Sequence, residues 1–162
     1  MEHNVILNKL NLKVIDSLKQ DKEGADSKDG MDISICVIDQ KSNKLSYSGA
    51  CRPLVYIRNG QIEKIKADPY PIGGINSCKN GYQSFSIDLK KEDQFYIFSD
   101  GYPDQFGGEK AKKYMTPRFR SFLLSISNQP MKNQKISLEK EFKRWMGEEE
   151  QVDDVIEMGF RV

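Results

Sequence analysis

The chain has 162 residues, 38% hydrophobic and 30% charged, with 25 Lys+Arg against 24 Asp+Glu. A net charge of +1 gives no basic excess for nucleic acid and no acidic tail, and no apolar run reaches the length of a membrane span. The single histidine, His3, and three widely spaced cysteines, Cys36, Cys51 and Cys78, argue against histidine-activated nucleophiles, zinc sites and a disulfide scaffold. They point to a reducing, cytoplasmic setting, and Met1-Glu2-His3-Asn4 carries no signal-peptide pattern.

In chain order, Leu7, Leu10, Val14, Ile15 and Leu18 recur at helical spacing and predict an amphipathic helix from Val5 to Gln20. Asp21 to Gly30 is polar and glycine-punctuated, a loop. Met31 to Asp39 and Leu45 to Ala50 read as two strands of a hairpin. Leu54 to Arg58 and Gln61 to Lys66 flank Asn59-Gly60, whose preference for positive φ marks a tight hairpin. Asp68 to Gly74 is irregular, and Gln83 to Leu89 is a further strand. The run Phe95-Tyr96-Ile97-Phe98 reads as a strand buried on both faces, ending abruptly at Ser99-Asp100-Gly101.

After Gly108 the pattern turns helical. Thr116 is expected as an N-cap with Pro117 at the first helical position, and Phe119, Phe122, Leu123 and Ile126 form one stripe. A second helix follows Pro130, with Leu138, Phe142, Trp145 and Met146 inward, and stops at Gly147. Val155 to Val162 is the closing strand, with Ile156, Met158 and Phe160 on one side. The order implies an α+β fold, antiparallel sheet with helices grouped at the ends.

With almost no histidine available, chemistry falls to carboxylates. Asp100, at the end of a rigid buried strand, and Asp153, before the last strand, are the expected metal ligands. Mg²⁺ and Mn²⁺ prefer carboxylate oxygen and water, and lower the pKa of bound water enough to make a nucleophile for phosphoryl transfer. Asp154 and Gly101 flank this pair. Asp104 is a candidate to hold the metal's waters, and Asp29 and Asp32 are candidates to approach from a loop–strand junction. Each of these also suits ordinary turn chemistry. Arg52 is a candidate phosphate contact through its guanidinium fork. The cysteines read as small buried hydrophobes.

Five stretches then carry a resemblance: Asp29-Gly30-Met31-Asp32; Gly49-Ala50 with Pro53-Leu54; Pro71-Ile72-Gly73; Phe95 to Gly108; and Gln151-Val152-Asp153-Asp154-Val155. In this order they resemble the stage II sporulation protein E-like branch of the metal-dependent, type 2C serine/threonine protein phosphatases, from the first helix to Val162. The resemblance implies two packed antiparallel sheets flanked by helices, an α-β-β-α sandwich. It implies Asp100 and Asp153 as ligands, Asp154 where these enzymes often carry Asn, and two Mg²⁺ or Mn²⁺ ions in the complete domain.

The implied substrate is a phosphoserine or phosphothreonine protein, often an anti-sigma-factor antagonist, and the implied setting is the cytoplasmic end of a larger sensor. The family's first metal motif, an Asp in a Gly-His-Gly-containing stretch, has no counterpart in these residues. Residues 1–162 are therefore expected to form a single, partial phosphatase domain lacking its N-terminal strands, weakly active alone, with exposed sheet edges that invite self-association. Two rival readings remain open. One is a non-catalytic interaction module on the same scaffold, and the other a carboxylate–metal hydrolase of small phosphate esters.

Overall fold

The computed structural model describes residues 3–20, 29–74, 76–78 and 80–162. Most of the expected loop from Asp21 to Gly30 falls outside these residues. The chain divides into two compact units, Met1–Leu54 with Lys64–Lys90, and Val55–Glu63 with Lys91–Val162. Among the described residues no helix is long and apolar enough to cross a membrane. The architecture is α+β, with antiparallel sheets and flanking helices.

The first unit holds helix α1 (His3–Ser17) and strands β1 (Ile33–Asp39), β2 (Lys44–Ala50) and β5 (Phe85–Asp88), in sheet order β1-β2-β5. The predicted β1–β2 hairpin is present, pairing Ile33 with Ala50 through to Asp39 with Lys44. As an edge strand, β1 is half-buried over its first four residues and exposed over its last three, so Val37 and Ile38 face solvent. One apolar cluster gathers Leu7, Ala50, Ile72 and Tyr82, with Leu10, Val14, Ile33 and Ile35 packed against it, and Leu45, Tyr47, Leu54 and Leu89 are buried as well.

Leu18, expected on the apolar stripe, is exposed beyond the end of α1, while Asn11 is buried. The reason lies in the irregular segment after Asp68. Ile72 N donates to the Met31 carbonyl, and the amides that follow take side-chain acceptors. Asn11 Oδ1 accepts from Gly73 N at 2.7 Å, Gln20 Oε1 from Gly74 N at 2.7 Å, and Asn8 Oδ1 from Tyr82 N at 3.0 Å. Gly73 and Gly74 both sit at positive φ, 67° and 73°, which their lack of a side chain permits.

Strands β3 (Leu54–Arg58), β4 (Gln61–Ile65), β6 (Gln94–Phe98) and β9 (Glu157–Arg161) form the other main sheet, in order β4-β3-β6-β9. The β3–β4 turn places Asn59 at φ 51° and Gly60 at φ 71°, as the dipeptide predicts. On one face Phe95 stacks on Tyr56 (5.6 Å between centroids) and on Phe160 (5.1 Å). On the other, Ile57 and Tyr96 join an aromatic core with Tyr102, Tyr114, Phe119, Leu123, Ile126 and Leu138. That core is supplied by α2 (Gly101–Asp104), α3 (Thr116–Ile126) and α4 (Met131–Met146). Tyr102 packs against Tyr114, Phe119 and Phe142 with centroids 5.1, 4.7 and 5.0 Å away.

A buried polar network ties β6 to α4. Tyr96 Oη lies 2.8 Å from Gln94 Oε1 and 2.7 Å from Gln134 Oε1, with one proton to give to either, and Gln134 Nε2 donates to Gln94 Oε1 (2.8 Å) and to the Gln129 carbonyl (2.9 Å).

Four details depart from expectation. Ser99-Asp100-Gly101 leads into the short helix α2 rather than a simple turn. The segment after it forms a small hairpin, β7 (Phe106–Gly107) with β8 (Lys112–Lys113), too short to leave a periodic signal. Met115, at φ 76°, caps α3, so Thr116 is its first residue and Pro117 its second. Finally, the closing strand starts at Glu157 rather than Val155, and Ile156 and Met158 are 65% and 60% exposed because β9 is an edge strand. The three cysteines are free and half-buried; burial pushes the Cys36 and Cys51 thiols up to about 11, which leaves them poor nucleophiles.

Candidate functional site

The second unit brings Asp100 together with the Asp153-Asp154 segment. Strand β6 delivers Ser99, whose amide donates to the Ile156 carbonyl at 2.9 Å. Ser99 Oγ donates to the Asp154 carbonyl at 2.8 Å and accepts from Ile156 N at 3.0 Å. One hydroxyl thus staples the end of β6 to the residues entering β9. Gly101 then passes the Asp154 backbone so closely that a Cβ there would lie 2.9 Å from its carbonyl carbon and 3.2 Å from Val155 Cγ2, and would run into the carbonyl oxygen. The glycine is required by this approach, since its own φ is not positive. Asp100 occupies the N-cap position of α2, and its carbonyl accepts from Asp104 N at 2.8 Å.

Asp153 and Asp154 are exposed. Asp153 Oδ1 accepts from Asp154 N at 2.7 Å, and the Asp153 carbonyl accepts from Gln151 Nε2 at 2.8 Å. Asp104 pairs with Lys113 Nζ at 2.9 Å, which gives that carboxylate a countercharge from β8.

Sequence reasoning missed Gln105. It is fully buried and wires α2 to the Asp153 segment: Nε2 donates to the carbonyls of Phe106 (3.0 Å) and Glu150 (2.9 Å), and Oε1 accepts from Val152 N at 3.4 Å. Its own carbonyl accepts from Trp145 Nε1 at 3.0 Å and Tyr114 N at 2.9 Å. The sequence offered little signal for it, since its immediate neighbours, Asp104 and Phe106, are not buried.

Asp32 and Arg52 belong to the first unit, where they pair with each other, Arg52 Nη2 to Asp32 Oδ2 at 2.8 Å. Asp29 is exposed, and its carbonyl accepts from Gln20 Nε2 at 2.8 Å. Among the described residues no three His, Cys, Asp or Glu side chains are grouped to hold a metal. Asp100 and Asp153 offer oxygen donors only, the ligand type that suits a hard divalent cation that keeps several waters.

A search of curated proteins finds no match. Among solved structures, the chain is similar to the PP2C domain of SiaA from Pseudomonas aeruginosa, with TM-score 0.74 and 22% identity over 97% of this chain and 69% of that one. It is also similar to the phosphatase domain of the cell fate determinant SpoIIE from Bacillus subtilis, in a manganese-presoaked crystal, with TM-score 0.63 and 18% identity over 100% of this chain and 66% of that one. The RsbU and RsbW domains of Rv1364c from Mycobacterium tuberculosis match with TM-score 0.64 and 18% identity, over 93% of this chain and 40% of that one. These likenesses show the PP2C fold, and the chain spans about two thirds of the first two structures. The family model for stage II sporulation protein E (SpoIIE) matches residues 1–162, and the chain therefore belongs to the SpoIIE branch of the PP2C phosphatase family.

Proposed function

We propose that this chain serves metal-dependent hydrolysis of phosphoserine or phosphothreonine on a regulatory protein of the anti-sigma-factor-antagonist type, in a bacterial signalling pathway. The observation that supports the reading is the close pass of Gly101 against the Asp154 carbonyl, which brings the residue after Asp100 to the residue after Asp153 where strands β6 and β9 adjoin. Asp100 and Asp153 are the residues that would hold Mg²⁺ or Mn²⁺. Such an ion supplies an electrophile for phosphoryl oxygen and acidifies coordinated water. The chain's own contribution is positional. Ser99 locks the strand end to the Asp154 carbonyl, Gln105 fixes the approach to Asp153, and Lys113 neutralises Asp104. Two carboxylates make a weaker seat than three, so low metal affinity is expected of this chain.

The test is Mn²⁺ titration by calorimetry beside turnover of a phosphoserine protein. Asp100→Asn and Asp153→Asn should each reduce Mn²⁺ affinity roughly tenfold or more while the fold survives. Unchanged Mn²⁺ binding in both variants would overturn the ligand assignment. Tight binding of a phosphoprotein with no turnover at saturating Mn²⁺ would favour the interaction-module reading.

A further inference from the structure

Trp145, the only tryptophan of the chain, stands on the last turn of α4 and reaches the segment that carries Asp153 through a single intermediary. Its indole Nε1–H donates to the Gln105 carbonyl at 3.0 Å, and its own carbonyl accepts from Gly108 N at 2.8 Å. Between these two bonds the backbone passes so close that a Cβ on Gly107 would lie 2.6 Å from the Trp145 carbonyl carbon. One residue of α4 thus fixes the backbone from Gln105 to Gly108, and with it the direction of the fully buried Gln105 side chain.

The Gln105 amide uses both its ends on the approach to Asp153. Nε2 donates to the Glu150 carbonyl at 2.9 Å, and Oε1 accepts from Val152 N at 3.4 Å. A primary amide offers donor and acceptor in one plane, so a tilt at its backbone weakens both bonds together. The indole has a second, separable contact. The exposed Arg118 guanidinium lies over its ring, 4.1 Å from the centroid. The ring face holds a cation from α3, while the N–H orders the backbone at Gln105.

We propose that Trp145 is a positioning residue for the candidate metal site, acting through Gln105 on the placement of Asp153. The proposal rests on the reading of Asp153 as a ligand. Groups behind a metal ligand raise affinity by fixing where the ligand stands before the ion arrives. The contribution here is that of one hydrogen bond, which sets the size of the effect.

Three variants test it beside wild type. Trp145→Phe keeps a ring under Arg118 and removes the N–H, and the Gln105 carbonyl still accepts from Tyr114 N, so the fold should survive. Arg118→Ala removes the cation and keeps the N–H. Asp153→Asn reports on the ligand itself. Mn²⁺ affinity is read by calorimetry, and exchange of the Val152 amide and the Gln105 side-chain amide by NMR in metal-free protein. Trp145→Phe should weaken Mn²⁺ binding roughly threefold to tenfold and speed exchange at both amides by a similar factor. Arg118→Ala should change neither by more than about twofold, even where it lowers the melting temperature. Unchanged Mn²⁺ affinity in Trp145→Phe, beside a loss in Asp153→Asn, would overturn the positioning role and leave the ligand assignment standing. Equal losses in Trp145→Phe and Arg118→Ala would overturn it too, because the ring would then act through packing alone. Unchanged binding in Asp153→Asn would bring down the ligand assignment and this proposal with it.

Discussion

The two units hold themselves together by different means. The first has an apolar cluster around Leu7 with a single aromatic ring among its buried members, and it draws on three amide side chains of its N-terminal segment, Asn8, Asn11 and Gln20, each accepting from one backbone N–H of an irregular segment. The second has a broad aromatic core, in which Tyr102 alone touches three other rings. Point contacts fail one at a time and locally, whereas an interlocked ring cluster fails as a whole. The candidate metal ligands stand on the second kind of support, since Tyr102 follows Gly101 directly.

The largest expected effect breaks the aromatic support. Phe119→Ala should cost about 3–5 kcal/mol by leaving a cavity under Tyr102 and Phe98, read as a lowered denaturation midpoint. If the site depends on this core, Mn²⁺ affinity should fall with it. Next comes a buried carboxyl beside that core. Burial lifts the Glu157 carboxyl from its ordinary 4.5 to about 7. Tyr102 faces it from α2, and Lys135, Glu139 and Lys143 face it from α4. Because the folded form holds the proton more tightly than the unfolded chain, stability is greatest below pH 4.5 from this group and is lost as pH rises through 7. Glu157→Gln should remove that loss and stabilise the chain by about 2–3 kcal/mol at pH 8 relative to wild type, with little difference near pH 4. Equal pH profiles by thermal unfolding would refute it.

In the first unit, Asn11→Ala should cost about 1–3 kcal/mol by orphaning the Gly73 amide, and exchange should accelerate at that amide ahead of the rest of the unit. A uniform acceleration would mean that the two units are held in the same way after all. The smallest effect belongs to the surface. Lys113→Ala removes a half-exposed ion pair with Asp104 and should change stability by less than about 1 kcal/mol.

What could be read from the sequence followed the strength of the local signals. The β1–β2 and β3–β4 hairpins, β6, α3 and α4 declared themselves through periodicity and turn chemistry, as did the Gly147 stop, at φ 60°. The expectation that Asp100 and Asp153 act together rested on their strand-end positions and on the resemblance, because no spacing along the chain reports the pairing of β6 with β9. Three features left no sequence trace. Asn11 sat on a helix face whose apolar residues masked it, and its role depends on amides 62 positions away. The helix α2 is a single turn, below the length at which a period is visible. The exposure of Ile156 and Met158 follows from the place of β9 in the sheet, whereas their spacing matches that of a covered strand.

The network of Gln94, Tyr96 and Gln134 has a bearing on the metal ligands that its distance from them conceals. Apolar side chains tolerate sliding, since one ring can replace another against a helix. Amide and phenol groups that must each find their partner tolerate only one alignment. From Gln94 to Phe98 the chain is extended over roughly 13 Å, and Asp100 follows two residues on. A strand slipped by one residue would bury a different side chain against Gln134 and turn Asp100 to the opposite face. The three polar groups thus act as a ruler, fixing at one end of β6 where a carboxylate will stand at the other.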